Sequence, residues 1–194
     1  MDPSEARPNF GGVSGLEPRD FTCGYCGREV ASALGYSGGA DHRIYICPRC
    51  AYPTTFSRRR QIPGVAAGEQ VTHLPPEVEN LYGEARRTFS VDAYTSSVMA
   101  SRKVLMNVAV AQGATAGKNF KEYVDYLADK GYVPPGRRDW VNHIRDKGND
   151  ANHEIPNMTK DDARELLDFL GMLLKFVYEF PARVRPSSAS PTTP

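Results

Sequence analysis

Two Cys-X-X-Cys pairs are the feature that most constrains the fold of this chain. The pairs are Cys23–Cys26 and Cys47–Cys50, with twenty residues between them. Two residues between thiolates allow one tight turn to aim both sulfurs at a single ion, and two such turns supply four tetrahedral ligands. The spacing therefore predicts one structural Zn²⁺ per chain. His42 lies between the pairs, and we interpret it as a loop residue because four thiolates already complete the coordination.

The segment that contains these cysteines resembles a zinc ribbon. Residues 18–60 are rich in glycine, and Arg43–Ile46 is the run predicted to form a strand. About 40 residues bury too little apolar surface to fold alone, so the metal is expected to supply folding free energy. Four thiolates leave no open position for water, and the predicted role of the zinc is therefore structural rather than catalytic.

The rest of the folded chain has helical patterning. Apolar residues recur at helical spacing through residues 75–183, and residues that interrupt helices divide this region into about five helices. The first helix is predicted to begin at Pro75-Pro76, the second at Ser90 as a cap, and the fourth after the turn Pro134-Pro135-Gly136. The third and fifth are predicted to begin at capping boxes, formed by Asn119 with Glu122 and by Thr159 with Asp162. The predicted fold class is mostly α, with a small β ribbon followed by a compact helical bundle.

Composition sets the remaining boundaries. Residues 1–17 and 184–194 are predicted to be disordered tails, and residues 61–74, with Pro63, Gly64 and Gly68, to be a linker. No apolar run approaches the roughly 18–20 residues of a membrane span. The N-terminus lacks the pattern of a signal peptide. A cytoplasmic protein without membrane contact is therefore expected.

Positive charge is concentrated near the cysteines. The whole chain carries 24 Lys+Arg and 23 Asp+Glu, but between Arg19 and Arg60 there are seven arginines and three acidic residues. Arg58, Arg59 and Arg60 form one run, and the planar guanidinium fork suits phosphate. The run is predicted to contact nucleic acid; a solubilising start to the linker fits the same residues.

A polar stripe marks the predicted fourth helix. Arg145, Asn149 and His153 stand at positions i, i+4 and i+8, so on a helix they share one face. Such a cluster requires either a ligand or mutual hydrogen bonds. Bracing between helices and binding of a nucleic acid or nucleotide are both compatible with the pattern.

From Leu74 to Arg183 the chain resembles the bacterial family called domain of unknown function 4145. The resemblance rests on Leu74-Pro75-Pro76, Tyr82-Gly83-Glu84-Ala85, Arg102-Lys103-Val104-Leu105, the stretch Ile144–His153 and the closing apolar helix. That family is similar to the HEPN superfamily of helical bundles. The resemblance implies a homodimer, and many HEPN proteins are metal-independent endoribonucleases of defence and toxin–antitoxin systems.

The HEPN signature contains an arginine, an asparagine and a histidine, and its histidine and asparagine match His153 and Asn149 of this chain. The signature arginine corresponds less closely to Arg145, which has seven residues between it and His153 where the family has four to six. The resemblance implies that His153 acts as general acid or base on a ribose 2′-hydroxyl. Arg145, or Arg102 of the second helix, would stabilise charge on the phosphate. An ion pair of Arg102 with Glu84 is the alternative role for that arginine.

Two classes of function follow. The first is a protein that binds nucleic acid, with RNA favoured; this class includes metal-independent cleavage of RNA. The second is a non-catalytic adaptor that binds protein and has a structural zinc site. Salt dependence separates them, because phosphate contacts weaken steeply with salt and apolar interfaces do not.

Overall fold

The computed structural model describes residues 10–39, 41–58, 60–133 and 157–184, which form two compact units. The first unit contains the described residues up to Ala67 together with Arg87–Ala93, and the second contains the others. The first unit is an antiparallel meander in which each strand pairs with the next. Its strands are β1 (Ser14–Thr22), β2 (Glu29–Ser37), β3 (His42–Ile46), β4 (Pro53–Ser57) and β5 (Arg60–Ile62).

The predicted class of mostly α is wrong, because this five-stranded sheet makes the protein a mixed α and β fold. β3 confirms the predicted strand, but the other four strands lack a clear apolar alternation. β1 is exposed along most of its length, and its register with β2 shifts between Gly15 and Arg19, around Pro18. Proline and glycine argue against a strand unless a bulge accommodates them, which is what this shift does.

The core cluster of the sheet is small, and three of its six buried residues are cysteines. Phe21, Tyr45 and Phe56 pack edge to face or tilted, with ring centroids 5.2–6.1 Å apart. The other buried members of this cluster are Cys23, Cys47 and Cys50. Without the cysteines, the buried apolar core of the sheet would consist of three aromatic rings, with Leu16, Val30 and Tyr52 partly buried against them.

Gly35 fixes the close approach of β2 to β3. It pairs with Tyr45, and an added Cβ would lie 1.8 Å from the carbonyl oxygen of Ile44. No side chain fits at that distance, so the glycine lets the two strands pack closely.

The helices are α1 (Pro76–Ser90), α2 (Tyr94–Ala111), α3 (Phe120–Asp129) and α4 (Lys160–Leu174), followed without a break by a π-helical turn (Lys175–Glu179) and α5 (Phe180–Arg183). In the second unit, α2 packs against both α3 and α4. None of the helices in the described ranges is long and apolar enough to cross a membrane.

Both predicted capping boxes are confirmed. Asn119 and Thr159 each accept a hydrogen bond from the third residue of their helix, and that residue's carboxylate accepts one in return. Ser90 as a helix cap is wrong, because it is the last residue of α1 and its hydroxyl donates to the carbonyl of Arg87. The chain turns at Asp92, with φ +65°, before α2 begins. The predicted fourth helix lies outside the described residues.

Residues 68–72 are hydrogen-bonded to the long C-terminal helix of the second unit. The amide of Gly68 donates to Asp168 over 3.2 Å, and the amide of Thr72 donates to the carboxylate of Glu179 over 2.8 Å. Glu179 is 3% exposed, and the Thr72 amide, followed by the charge of Arg183, holds its pKa below the usual range. A buried carboxylate is thus stabilised as the anion by these partners.

Candidate metal centre

The first cysteine pair lies in a tight turn between β1 and β2. The amide of Gly27 donates to the carbonyl of Cys23 over 2.8 Å, and the amide of Cys23 donates to the carbonyl of Arg28 over 2.9 Å. Gly27 has φ +66°, a left-handed conformation that glycine adopts without steric cost. These two bonds close the turn and direct Cys23 and Cys26 toward the same point.

The second pair repeats this turn between β3 and β4, 24 residues later. The amide of Ala51 donates to the carbonyl of Cys47 over 2.8 Å, and that of Cys47 donates to the carbonyl of Tyr52 over 3.0 Å. Ala51, at φ +62°, takes the place of Gly27. The equivalence was not expected, because alanine at this position gives no sequence signal for a left-handed residue.

The two turns bring the four cysteine sulfurs together. Sγ of Cys23 lies 3.7 Å from Sγ of Cys50, and Sγ of Cys26 lies 3.8 Å from Sγ of Cys47. All four sulfurs lie within 4.8 Å of one another, and the cysteines are free thiols. Cys23 and Cys47 are completely buried. The four cysteines predicted from the spacing are therefore arranged so that they could hold one metal ion.

Burial and hydrogen bonds from backbone amides have opposite effects on the pKa of these thiols. Burial raises the pKa of Cys26 and of Cys50, although amides of the following turn donate to both sulfurs. At Cys47 burial acts in the same direction, but the amides of Cys50 and Arg49 donate to its sulfur and the pKa is lowered. Amides directed at sulfur stabilise thiolate, which is the form that binds a metal.

The predicted arginine run lies at the other end of the sheet. Arg58 is exposed at the β4–β5 turn, and its amide donates to the carbonyl of Asp41 over 3.0 Å. Arg60 forms an ion pair with Asp92 at 2.5 Å. β3 begins beside this turn and ends next to Cys47, so about 16 Å of strand separates the arginines from the cysteines. Arg59 lies outside the described residues.

Three of the four predicted catalytic residues, Arg145, Asn149 and His153, also lie outside the described residues. Arg102 is half-buried on α2, with its guanidinium carbon 4.4 Å from the ring centroid of Phe120. Burial lowers its pKa. This contact with Phe120 did not follow from the sequence pattern, and the assembly of the four residues into one site stays a prediction.

Comparison with known proteins bears on the helical region. Neither the curated proteins nor the solved structures give a match. One family model, described as domain of unknown function (DUF4145), matches residues 83–189, which is more than half of the chain. This match confirms the resemblance carried by the helical motifs, and the chain belongs to the DUF4145 family.

Proposed function

We propose that this protein binds RNA through a β-sheet that is folded around Zn²⁺. The observation that carries the proposal is the arrangement of the sheet in the first unit. Four cysteine sulfurs converge at one end, and an exposed arginine stands at the tip of a tight hairpin at the other. The metal end supplies stability, and the arginine end supplies contacts to phosphate.

The sulfur distances suit zinc. Tetrahedral coordination with Zn–S bonds of about 2.3 Å requires sulfurs about 3.8 Å apart. The two closest sulfur pairs are 3.7 and 3.8 Å apart. Four soft thiolates without a carboxylate or carbonyl ligand favour zinc over calcium or magnesium. The ion would be held by the four cysteines and would contribute folding free energy and no chemistry of its own.

The arginine end suits phosphate. Arg58 occupies a left-handed position, with φ +52°, in a turn closed by the pairing of Ser57 with Arg60. Arg60 forms an exposed ion pair with Asp92, which offsets its charge, and Arg58 is exposed in the turn, so Arg58 is the residue that we assign to phosphate. RNA is favoured over DNA by the family resemblance, because HEPN ribonucleases act on the ribose 2′-hydroxyl, which DNA lacks.

Arg58→Asn tests this proposal, since asparagine tolerates the left-handed backbone and the substitution removes the guanidinium group with its charge. Binding of a labelled single-stranded RNA to the zinc-loaded full chain would be followed by fluorescence anisotropy as salt is raised. We expect Arg58→Asn to reduce the slope of log affinity against log salt by about 0.7, the value for one phosphate contact. Lys103→Asn, at an exposed position on α2, is the matched control. The absence of RNA binding by the parent protein at low salt would refute the proposal.

RNA cleavage is a separate step of the proposal that depends on the family resemblance. His153 would act as general base or acid while the 2′-oxygen loses its proton and bonds to the adjacent phosphorus, the bond from phosphorus to the 5′-oxygen breaks and that oxygen is protonated, leaving a 2′,3′-cyclic phosphate. The arginines would stabilise the charge that develops on the phosphate. We expect cleavage in magnesium-free buffer to fall at least about 100-fold in His153→Ala, the usual scale for loss of a general acid or base. Equal cleavage by the parent and the variant at the same zinc content would exclude this site.

A second candidate function is self-association through the C-terminal helix. Met172, Phe176 and Phe180 lie four residues apart and are 44–53% exposed. In a regular α-helix, residues four apart lie on slightly different faces, because one turn takes about 3.6 residues. The π-helical turn Lys175–Glu179 has more residues per turn, which compensates for this rotation and keeps the three side chains on one face. A second copy of the chain presents the same stripe and would cover it in a two-fold pairing.

Phe176→Asp is the variant that tests this pairing. We expect the parent protein to have the mass of a dimer in light scattering at micromolar concentration and Phe176→Asp to have that of a monomer. Met99→Asp, an equally apolar exposed position on α2 at 44% exposure, should leave the dimer intact. A monomeric parent protein would exclude self-association as a function of the stripe.

A further inference from the structure

A stacked aromatic pair, one ring exposed and the other half-buried, lies beside the cysteine cluster. Tyr25, between Cys23 and Cys26, is 45% exposed. Its ring stacks on that of Tyr52, with centroids 4.9 Å apart and planes inclined by 30°. Tyr52 is half-buried and packs against the core that contains Phe21, Tyr45 and Phe56. The exposed ring of Tyr25 is therefore supported from beneath by a ring that is packed on the core.

The cysteine turns hold this pair rigidly. Tyr25 belongs to the first turn, which is closed by the Gly27–Cys23 bond. Tyr52 closes the second turn by accepting from the amide of Cys47, and its own amide donates to the sulfur of Cys50. Both backbones are thus fixed by the geometry that positions the sulfurs, and the stacked rings form a preorganised surface.

The repeat of the two turns also positions two arginines. With the offset of 24 residues, Arg49 is the equivalent of Tyr25, and Arg28 is the equivalent of Tyr52. Arg28 lies three residues after Tyr25 in the first turn, and Arg49 lies three residues before Tyr52 in the second, so the two turns that present the tyrosines also present both arginines. Both arginines are exposed, whereas the cysteine sulfurs are mostly buried.

The exposed charge at this end of the sheet favours an anionic ligand. Within the described residues of the two turns, Arg28 and Arg49 are the exposed charged side chains, and Glu29 follows at the start of β2. Flat aromatic rings next to arginines are the chemistry that binds single-stranded nucleic acid, in which bases stack and phosphates meet guanidinium groups. Bases in a duplex have their faces covered by neighbours, so this surface discriminates against paired RNA.

We propose that Tyr25 and Tyr52 form a stacking platform for an unpaired RNA base, with Arg28 and Arg49 contacting phosphates of the same strand. This inference rests on the proposed RNA-binding function and deepens it. It names single-stranded RNA as the ligand class and assigns its bases to the cysteine turns. The Arg58 turn, at the far end of the sheet, contacts only the backbone and does not distinguish single strands from duplexes.

The test compares Tyr25→Ala and Tyr25→Leu with Tyr25→Phe and Tyr25→Trp in the full chain at equal bound zinc. The probes are a fluorescein-labelled single-stranded RNA and a duplex of the same length. We expect Tyr25→Ala and Tyr25→Leu to bind the single strand about 5- to 150-fold more weakly, the range for loss of one stacked base. Tyr25→Phe and Tyr25→Trp should bind it within a factor of about three of the parent or more tightly. All four should bind the duplex as the parent does.

The outcomes separate this inference from the function on which it rests. Parent-like binding of the single strand by Tyr25→Leu, while Arg58→Asn reduces the salt dependence, would overturn the platform and leave RNA binding in place. Equal weakening on the single strand and the duplex would also overturn it, because the loss would not depend on exposed bases. Failure of the parent to bind either probe at low salt would overturn both proposals.

Discussion

Removal of the metal is expected to unfold the β-sheet of the first unit. Three of the six buried residues in its core are cysteines, and burial, which raises the pKa of Cys26 and of Cys50, disfavours their thiolates unless a cation is bound beside them. Structural Zn²⁺ contributes on the order of 10 kcal/mol or more to the folding of small domains at neutral pH. Three aromatic rings cannot replace a contribution of that size.

Hydrogen exchange followed by mass spectrometry, before and after chelation, resolves this effect by segment. We expect β2, β3 and β4 to lose their amide protection, whereas the buried face of α2 in the second unit should keep its protection. Cys47→Ser should reproduce the loss without a chelator. Persistent protection of β3 in protein from which all metal has been removed would show that the sheet folds without it.

Gly35→Ala is expected to destabilise the same sheet by more than about 3 kcal/mol, at the upper end of overpacking effects. The added Cβ would lie 1.8 Å from the carbonyl oxygen of Ile44 and 2.8 Å from its carbon. Both are backbone atoms, so no side chain can rotate away and β2 must separate from β3. Thermal unfolding of the zinc-loaded protein, recorded by circular dichroism, measures the change.

Gly15→Ala is the matched control for this substitution. Gly15 lies in β1 of the same sheet, and an added Cβ there meets no atom within 4 Å. The loss of stability should therefore stay within about 0.5 kcal/mol, as for surface substitutions in general. Equal unfolding temperatures for the two variants would contradict the close approach of β2 to β3.

Features that depend on local chemistry were predictable from the sequence. The Cys-X-X-Cys spacing brought the four sulfurs together, and the pairs Asn119–Glu122 and Thr159–Asp162 marked two helix starts. Each of these signals lies within a few residues, so no knowledge of distant contacts was required.

Features that depend on long-range pairing were missed. β1 contains Pro18 and is largely exposed, and Leu34 of β2 is 56% exposed, so neither strand shows the alternation of a half-buried sheet. Their pairing is imposed by the cysteine turns and by close approaches such as that at Gly35. The stacking of Tyr25 on Tyr52 was missed for the same reason, since 26 positions separate the two residues in the chain.

The most direct test of the central claim is the metal content of the purified full-length protein. Elemental mass spectrometry should find one zinc per chain, and the four thiols should be unreactive toward a thiol reagent until a chelator is added. Well under one zinc per chain, with four thiols that react at once in the folded protein, would contradict the claim that the sheet requires zinc to fold.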